Sequence, residues 1–158
     1  TQTIDDYVEN ISGKTAELFA LACSIPAMID GDKLLAKRAF QIGREIGLAF
    51  QIMDDYLDYA SDSETLGKPV LEDVKQGVYS APVLFAFQAD PKRVSSDLLA
   101  KNFEAFDKFV VSSGALEKTK ELAKLHTDKA LNLIGKLPNT ETKDEITGIT
   151  RELLERKI

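Results

Sequence analysis

The chain of 158 residues has a single cysteine, a single histidine and no tryptophan. One cysteine excludes an intrachain disulfide framework and any zinc site built from cysteines. There is no basic tract: 20 Lys and Arg stand against 26 Asp and Glu, a net charge of −6, which argues against nucleic acid as a partner. No apolar run reaches the roughly 18 residues that a membrane span requires, and the first residues given do not read as a secretory signal. What is present is ordinary for a globular domain, with 44% hydrophobic and 29% charged residues. At this length a chain buries roughly 70% of its unfolded surface, enough for a substantial core. The expectation is an acidic protein, soluble and cytoplasmic. The chain opens on Thr1, and we expect it to be one part of a longer polypeptide.

The hydrophobic pattern is helical nearly throughout, with no alternating runs of useful length, so the predicted class is all-α. Residues 14–29 (KTAELFALACSIPAMI) are apolar on almost every side, as in a helix inside a bundle. Gly13 and Gly31 supply the breaks, and Pro26 predicts a kink or an early stop. A long helix is expected from about Lys33 to Ala60, its apolar face set by Phe40, Ile42, Ile46, Ala49, Phe50, Met53 and Leu57. A loop follows over 61–76, then helices at 79–88 and at about 96–111, the latter with a stripe of Leu99, Phe103, Phe106 and Val110. Gly114 precedes a long helix to about Leu137. Residues 142–156 make a last helix packed through Ile146, Ile149 and Leu153. His126 falls on the apolar line of its helix and is expected to pack there, and Cys23 is expected to be an inert core thiol. Helix 14–29 needs cover on several sides, more than the terminal helices supply. Part of the domain is therefore expected to lie elsewhere.

Three short stretches carry chemistry. In Phe50-Gln51-Ile52-Met53-Asp54-Asp55-Tyr56-Leu57-Asp58, Asp54 and Asp58 are four apart and lie on one helical face, about 6 Å apart along the axis. Gly47 and Gln51 extend that face. Like charges at this spacing repel and weaken a helix unless a cation sits between them. Hard oxygen donors suit Mg²⁺. The second stretch is Leu66-Gly67-Lys68-Pro69-Val70-Leu71-Glu72-Asp73-Val74-Lys75-Gln76-Gly77. Gly67 permits a tight turn and Pro69 restricts the backbone beside Lys68, so that its ammonium can be held near a phosphate. The third is Gly13-Lys14-Thr15-Ala16 at the expected start of the apolar helix, where a bound anion would satisfy both the helix end and Lys14. Neither glycine-lysine stretch has the spacing of a Walker loop.

Taken in order, GKTA-x-L, FQIMDDYLD and LGKPVLEDVKQG resemble the C-terminal half of a trans-isoprenyl (polyprenyl) diphosphate synthase, and the similarity covers essentially the whole chain. FQIMDDYLD is similar to that family's second aspartate-rich motif. The resemblance implies the helical bundle of isoprenoid synthases, present here as its C-terminal half over residues 1–158. It implies a prenyltransferase that joins an allylic diphosphate to isopentenyl diphosphate, with Mg²⁺ as cofactor. Asp54, with Asp58, would hold the metal, and Asp55 would complete or support that site. Lys14, Thr15, Gln51 and Lys68 would contact the allylic diphosphate or hold the pocket around it. The family's other aspartate-rich motif and its isopentenyl diphosphate site lie in an N-terminal half. The 158 residues alone are therefore expected to be inactive, and the complete protein a homodimer.

Two positions depart from the family pattern. Val78 and Ser80 stand where many members have a lysine and a threonine, which puts one diphosphate contact in doubt. The wording GVYSAPVLFA is closer to medium- and long-chain synthases than to the short farnesyl type. Two other readings compete: a terpenoid cyclase or squalene-type relative, and a non-catalytic helical subunit that completes or regulates a partner synthase.

Overall fold

A computed structural model describes residues 2–60 and 68–156, with side chains described for 2–60 and 72–156. The described residues are α-helical, with no strand among them: α1 Ile4–Ile11, a π-helical segment Ser12–Ala16, α2 Glu17–Ile29, α3 Lys33–Ala60, α4 Lys68–Lys75, α5 Ala81–Ala89, α6 Pro91–Leu99, α7 Phe103–Ser112, α8 Ala115–Gly135 and α9 Glu141–Glu152. None of the described helices is long and apolar enough to cross a membrane.

Helix α3 is the central post. α2 runs antiparallel to it after the turn at Gly31, which adopts a left-handed φ of 77°. The two approach through small residues. A Cβ on Gly43 would fall 2.5 Å from the Phe19 carbonyl oxygen, and one on Gly47 would fall 2.7 Å from the Ala16 Cα. Only glycine lets these backbones come so close. On another side α8 packs antiparallel to α3. Ile42 and Ile46 meet Ala130 and Ile134, and Ile52 and Met53 join a cluster with Tyr7, Leu84 and Ala123. A third cluster of Tyr59, Val83, Val94, Phe106 and Val110 holds α5, α6 and α7 together. His126 reaches from α8 to α3, its Nδ1 2.6 Å from Glu45 Oε2. It is the packing histidine expected, with a carboxylate as its partner.

Several boundaries differ from those expected. Gly13 does not break the chain: α1, the π-helical segment and α2 form one continuous helical run from Ile4 to Ile29. Pro26 does not stop it either, since α2 continues three residues beyond. The expected loop 61–76 contains α4, while residues 61–67 lie outside the described residues. The expected helix over 96–111 is two helices. Lys101 turns to a φ of 55°, and the Asn102 side chain caps α7 by accepting from the Ala105 N–H. Leu99 therefore leaves the expected stripe and is 85% exposed. In α9, Ile146 and Leu153 pack as expected, but Ile149 is exposed and Thr150 is buried in its place. Cys23 is half-buried rather than in the core as expected, and desolvation raises its thiol pKa.

Candidate functional site

The site forms where α1, the π-helical segment, the C-terminal half of α3, the end of α4 and residues 77–80 meet. They enclose a cleft of about 440 Å³. α1 is set by a capping box in which Thr3 and Asp6 bond each other's backbone N–H groups. That start buries Tyr7 against α3. In the π-helical segment the ladder widens by one residue, a local form common at functional sites. Arg44 of α3 ties it down, its Nε donating to Ser12 Oγ at 2.9 Å.

The cleft brings together Lys14, Thr15, Gln51, Asp55 and Asp58, five of the residues singled out in the sequence. Thr15 Oγ1 donates to Gln51 Oε1 at 3.1 Å, and Gln51 Nε2 donates to Asp55 Oδ1 at 3.1 Å. Tyr7 OH donates to the other oxygen, Asp55 Oδ2, at 2.6 Å. Desolvation pushes the Asp55 carboxyl up to about 6, and the bonds from Tyr7 and Gln51 pull against it. Asp55 thus faces inward, fully engaged by protein donors. Asp58 lies exposed at the mouth of the cleft. Partial desolvation raises its pKa first, and repulsion from Asp54 and Asp73 adds to this.

Asp54 stands beside the cleft rather than in it. Its Oδ1 is 2.7 Å from Nη1 of Arg156, which follows α9, and the same guanidinium lies 4.7 Å from the centre of the Phe50 ring. The pair is an ion contact rather than an aligned hydrogen bond, since Arg156 Nη1 is buried without a bond of good geometry. Lys68 opens α4, but its side chain lies outside the described residues. Lys14 is exposed at the cleft. The free helix end expected beside it does not exist, because the backbone there is internally bonded from α1 into α2; its contribution is the ammonium alone. Tyr56 is partly buried and packs against two of the core clusters.

The donor set fits Mg²⁺. That ion takes one or two protein carboxylates, keeps waters and completes its shell with substrate phosphates. Asp54 and Asp58 offer such a pair, and a divalent cation between them would relieve the repulsion felt at Asp58. Among the described residues no group of three His, Cys, Asp or Glu side chains closes a cation cage.

Spacing did not disclose four further residues: Tyr7, Tyr59, Asp73 and Arg156. Asp73 sits within a stretch already singled out, and its placement across from Asp58 needed the fold. The Tyr59 hydroxyl is buried at the cleft with no hydrogen-bond partner among the described residues, and burial raises its pKa.

The fold and the site define a class, the helical isoprenyl synthases. The chain belongs to the polyprenyl synthetase family, whose model matches residues 1–111. It is 38% identical to the prenyl transferase of Cyanophora paradoxa over 98% of this chain and 49% of that protein. It is 33% identical to the mitochondrial solanesyl-diphosphate synthase 1 of rice (Oryza sativa subsp. japonica) over 93% of this chain and 35% of that one. Among solved structures it is similar to the geranylgeranyl pyrophosphate synthase of Lactobacillus brevis. There the TM-score is 0.89 at 38% identity, covering 98% of this chain and 50% of that one. The chain thus spans about half the length, or less, of these relatives.

Proposed function

We propose that this chain is the C-terminal half of a trans-prenyltransferase that condenses an allylic diphosphate with isopentenyl diphosphate into longer all-trans polyprenyl diphosphates. One observation supports this above the others: Lys14 and Thr15, Gln51 with the acids of α3, and Asp73 with residues 77–80 converge on a single cleft. They are distant in sequence and share a use, the handling of an anion beside carboxylates.

In this mechanism the allylic C–O bond breaks, the isopentenyl alkene attacks the allylic carbon, a proton leaves, and diphosphate is released. Bound Mg²⁺ would neutralise charge on the departing diphosphate. Asp54 and Asp58 would hold that ion, and Asp54 must exchange its contact with Arg156 to do so. Lys14 and the amide of Gln51 meet diphosphate oxygens, and Lys68 is proposed to do the same. No protein nucleophile is needed; the contribution is preorganised charge stabilisation. Val78, 55% exposed on the cleft wall, leaves this wall less cationic than a lysine would. The names of the rice relative and of the heptaprenyl diphosphate synthase of Staphylococcus aureus support a medium- or long-chain product. We also propose a homodimer for the complete protein. The cytoplasmic placement competes with the mitochondrial one in the rice relative's name, and cell fractionation decides between them.

The test is incubation with farnesyl diphosphate, isopentenyl diphosphate and Mg²⁺. The full-length protein should elongate the allylic substrate, and the 158 residues alone should not. In the full-length protein Asp54→Ala should lower kcat roughly 100-fold with a smaller change in allylic KM, and Asp58→Ala should do less. A full-length protein that yields no longer product is the result expected of a non-catalytic subunit and overturns the proposal.

A further inference from the structure

We propose that Tyr7 is a positioning residue: by bonding Asp55 Oδ2, its hydroxyl fixes the carboxylate that holds the Gln51 amide nitrogen in place at the cleft. The proposal takes its ligand class from the prenyl diphosphate reading, while the hydrogen-bond polarity stands on geometry alone.

A carboxylate accepts and cannot donate, whereas a side-chain amide has a donor end and an acceptor end that are interchangeable by rotation. The orientation of Gln51 is therefore decided by its neighbours. Asp55 Oδ1, 3.1 Å away, requires the nitrogen end, and this turns Oε1 toward Thr15, whose hydroxyl donates to it. The chain of bonds runs one way, Thr15 to Gln51 to Asp55, and ends on the carboxylate. Tyr7 closes that end. It is 3% exposed and donates to Asp55 Oδ2 at 2.6 Å, so that Oδ1 alone is left for Gln51.

Two consequences follow for a ligand. One Gln51 N–H is committed to Asp55 and the second has no partner among the described residues, so it is free for the cleft that Gln51 lines together with Lys14. An amide N–H beside an ammonium suits an anionic oxygen, here that of a diphosphate. The Thr15 hydroxyl proton is spent on Gln51. Thr15 therefore orients the amide rather than donating to the ligand. Without the Tyr7 hydroxyl, Asp55 Oδ2 loses its donor. The carboxylate is then free to rotate, the Gln51 nitrogen bonded to it loses its fixed place, and the cleft loses a neutral donor held in register.

The experiment titrates full-length protein with inorganic pyrophosphate in the presence of Mg²⁺ by calorimetry, and measures KM for both substrates. Tyr7→Phe should weaken pyrophosphate binding about tenfold, as expected for one lost hydrogen bond to a charged oxygen. It should raise the allylic KM by a similar factor and leave the isopentenyl diphosphate KM unchanged. Asp55→Asn, of the same shape but able to donate, should weaken pyrophosphate binding at least as much both with Mg²⁺ and without it, which separates amide orientation from metal binding, and it decides the matter if Tyr7→Phe does not fold. Binding within twofold of the parent in a folded variant overturns the role given to Tyr7 and leaves the prenyl diphosphate reading intact. An equal rise in both KM values also overturns it, as general loosening of the fold. A parent protein with no affinity for pyrophosphate overturns both.

Discussion

Helices α2 and α8 both lie antiparallel against α3, yet they treat their outer faces in opposite ways. α8 buries Ala123, His126, Thr127 and Ala130 and turns Glu117, Lys118, Glu121, Lys124 and Asp128 to water, with a surface ion pair between Lys124 and Asp128 at 2.6 Å. α2 presses small residues onto Gly43 and Gly47 of α3 and leaves Leu18, Leu21, Ile25, Met28 and Ile29 outside, with Leu18 67% and Ile29 79% exposed. An apolar face of this breadth marks an interaction surface. α8 is a finished exterior. α2 has the composition of an interior helix with one side uncovered, the side on which we propose that the remaining half of the synthase sits.

The close contact of α2 with α3 is most sensitive at Gly43. Gly43→Ala should cost about 3 kcal/mol, because the added methyl meets backbone and cannot be accommodated by a rotamer change. Denaturant unfolding measures it, and a loss below about 1 kcal/mol would mean that the seam is looser than its geometry. Gly148 in α9 gives the opposite sign. A Cβ there meets nothing within 4 Å, so Gly148→Ala should stabilise by roughly 0.8 kcal/mol through helix propensity.

A smaller effect is expected on the finished side. Asp107 of α7 has Oδ1 buried without a partner among the described residues, and desolvation pushes its carboxyl up to about 6. A carboxyl raised above its unfolded value of 3.8 contributes stability below that value and loses it as pH rises through about 6. Asp107→Asn should therefore raise Tm at pH 7.5 and leave it unchanged at pH 3.5; equal gains at both would point to packing instead. The smallest change in stability should come from Leu18→Lys with Ile25→Lys, within about 0.5 kcal/mol, since both side chains already face water. Light scattering sharpens the contrast: the parent chain should self-associate with concentration or bind an added N-terminal half, and the double variant should do neither.

Much of the site was legible because a helix converts spacing into position. Gln51 and Asp58 lie seven apart and reach the same cleft wall, and Lys14 and Thr15 join them as their motif implied. Asp54 shares that side of α3 but turns to Arg156, a residue brought there by the course of α9, which no local pattern encodes. Tyr7 was hidden for the same reason: its partner is 48 positions away, on another helix. Leu99 and Ile149 fitted a helical period and are nevertheless exposed, because periodicity identifies a face without saying what covers it. α4 escaped notice because Gly67, Pro69 and the polar residues around them carry turn chemistry, which outweighs eight residues of weak helical signal.

The π-helical segment Ser12–Ala16 works as a phase shifter. Widening a helix by one residue advances everything upstream by about 100° relative to an uninterrupted spiral. α1 and α2 therefore share one axis but belong to different angular frames, and Tyr7 points at Asp55 only because of the offset between them. Removal of Gly13, which carries no side chain, would restore a plain α-helix and swing the Tyr7 hydroxyl away from the carboxylate, with every side chain of the site retained. Insertions and deletions here are thus rotations of the upstream helix, and their effect is counted in degrees rather than in ångströms.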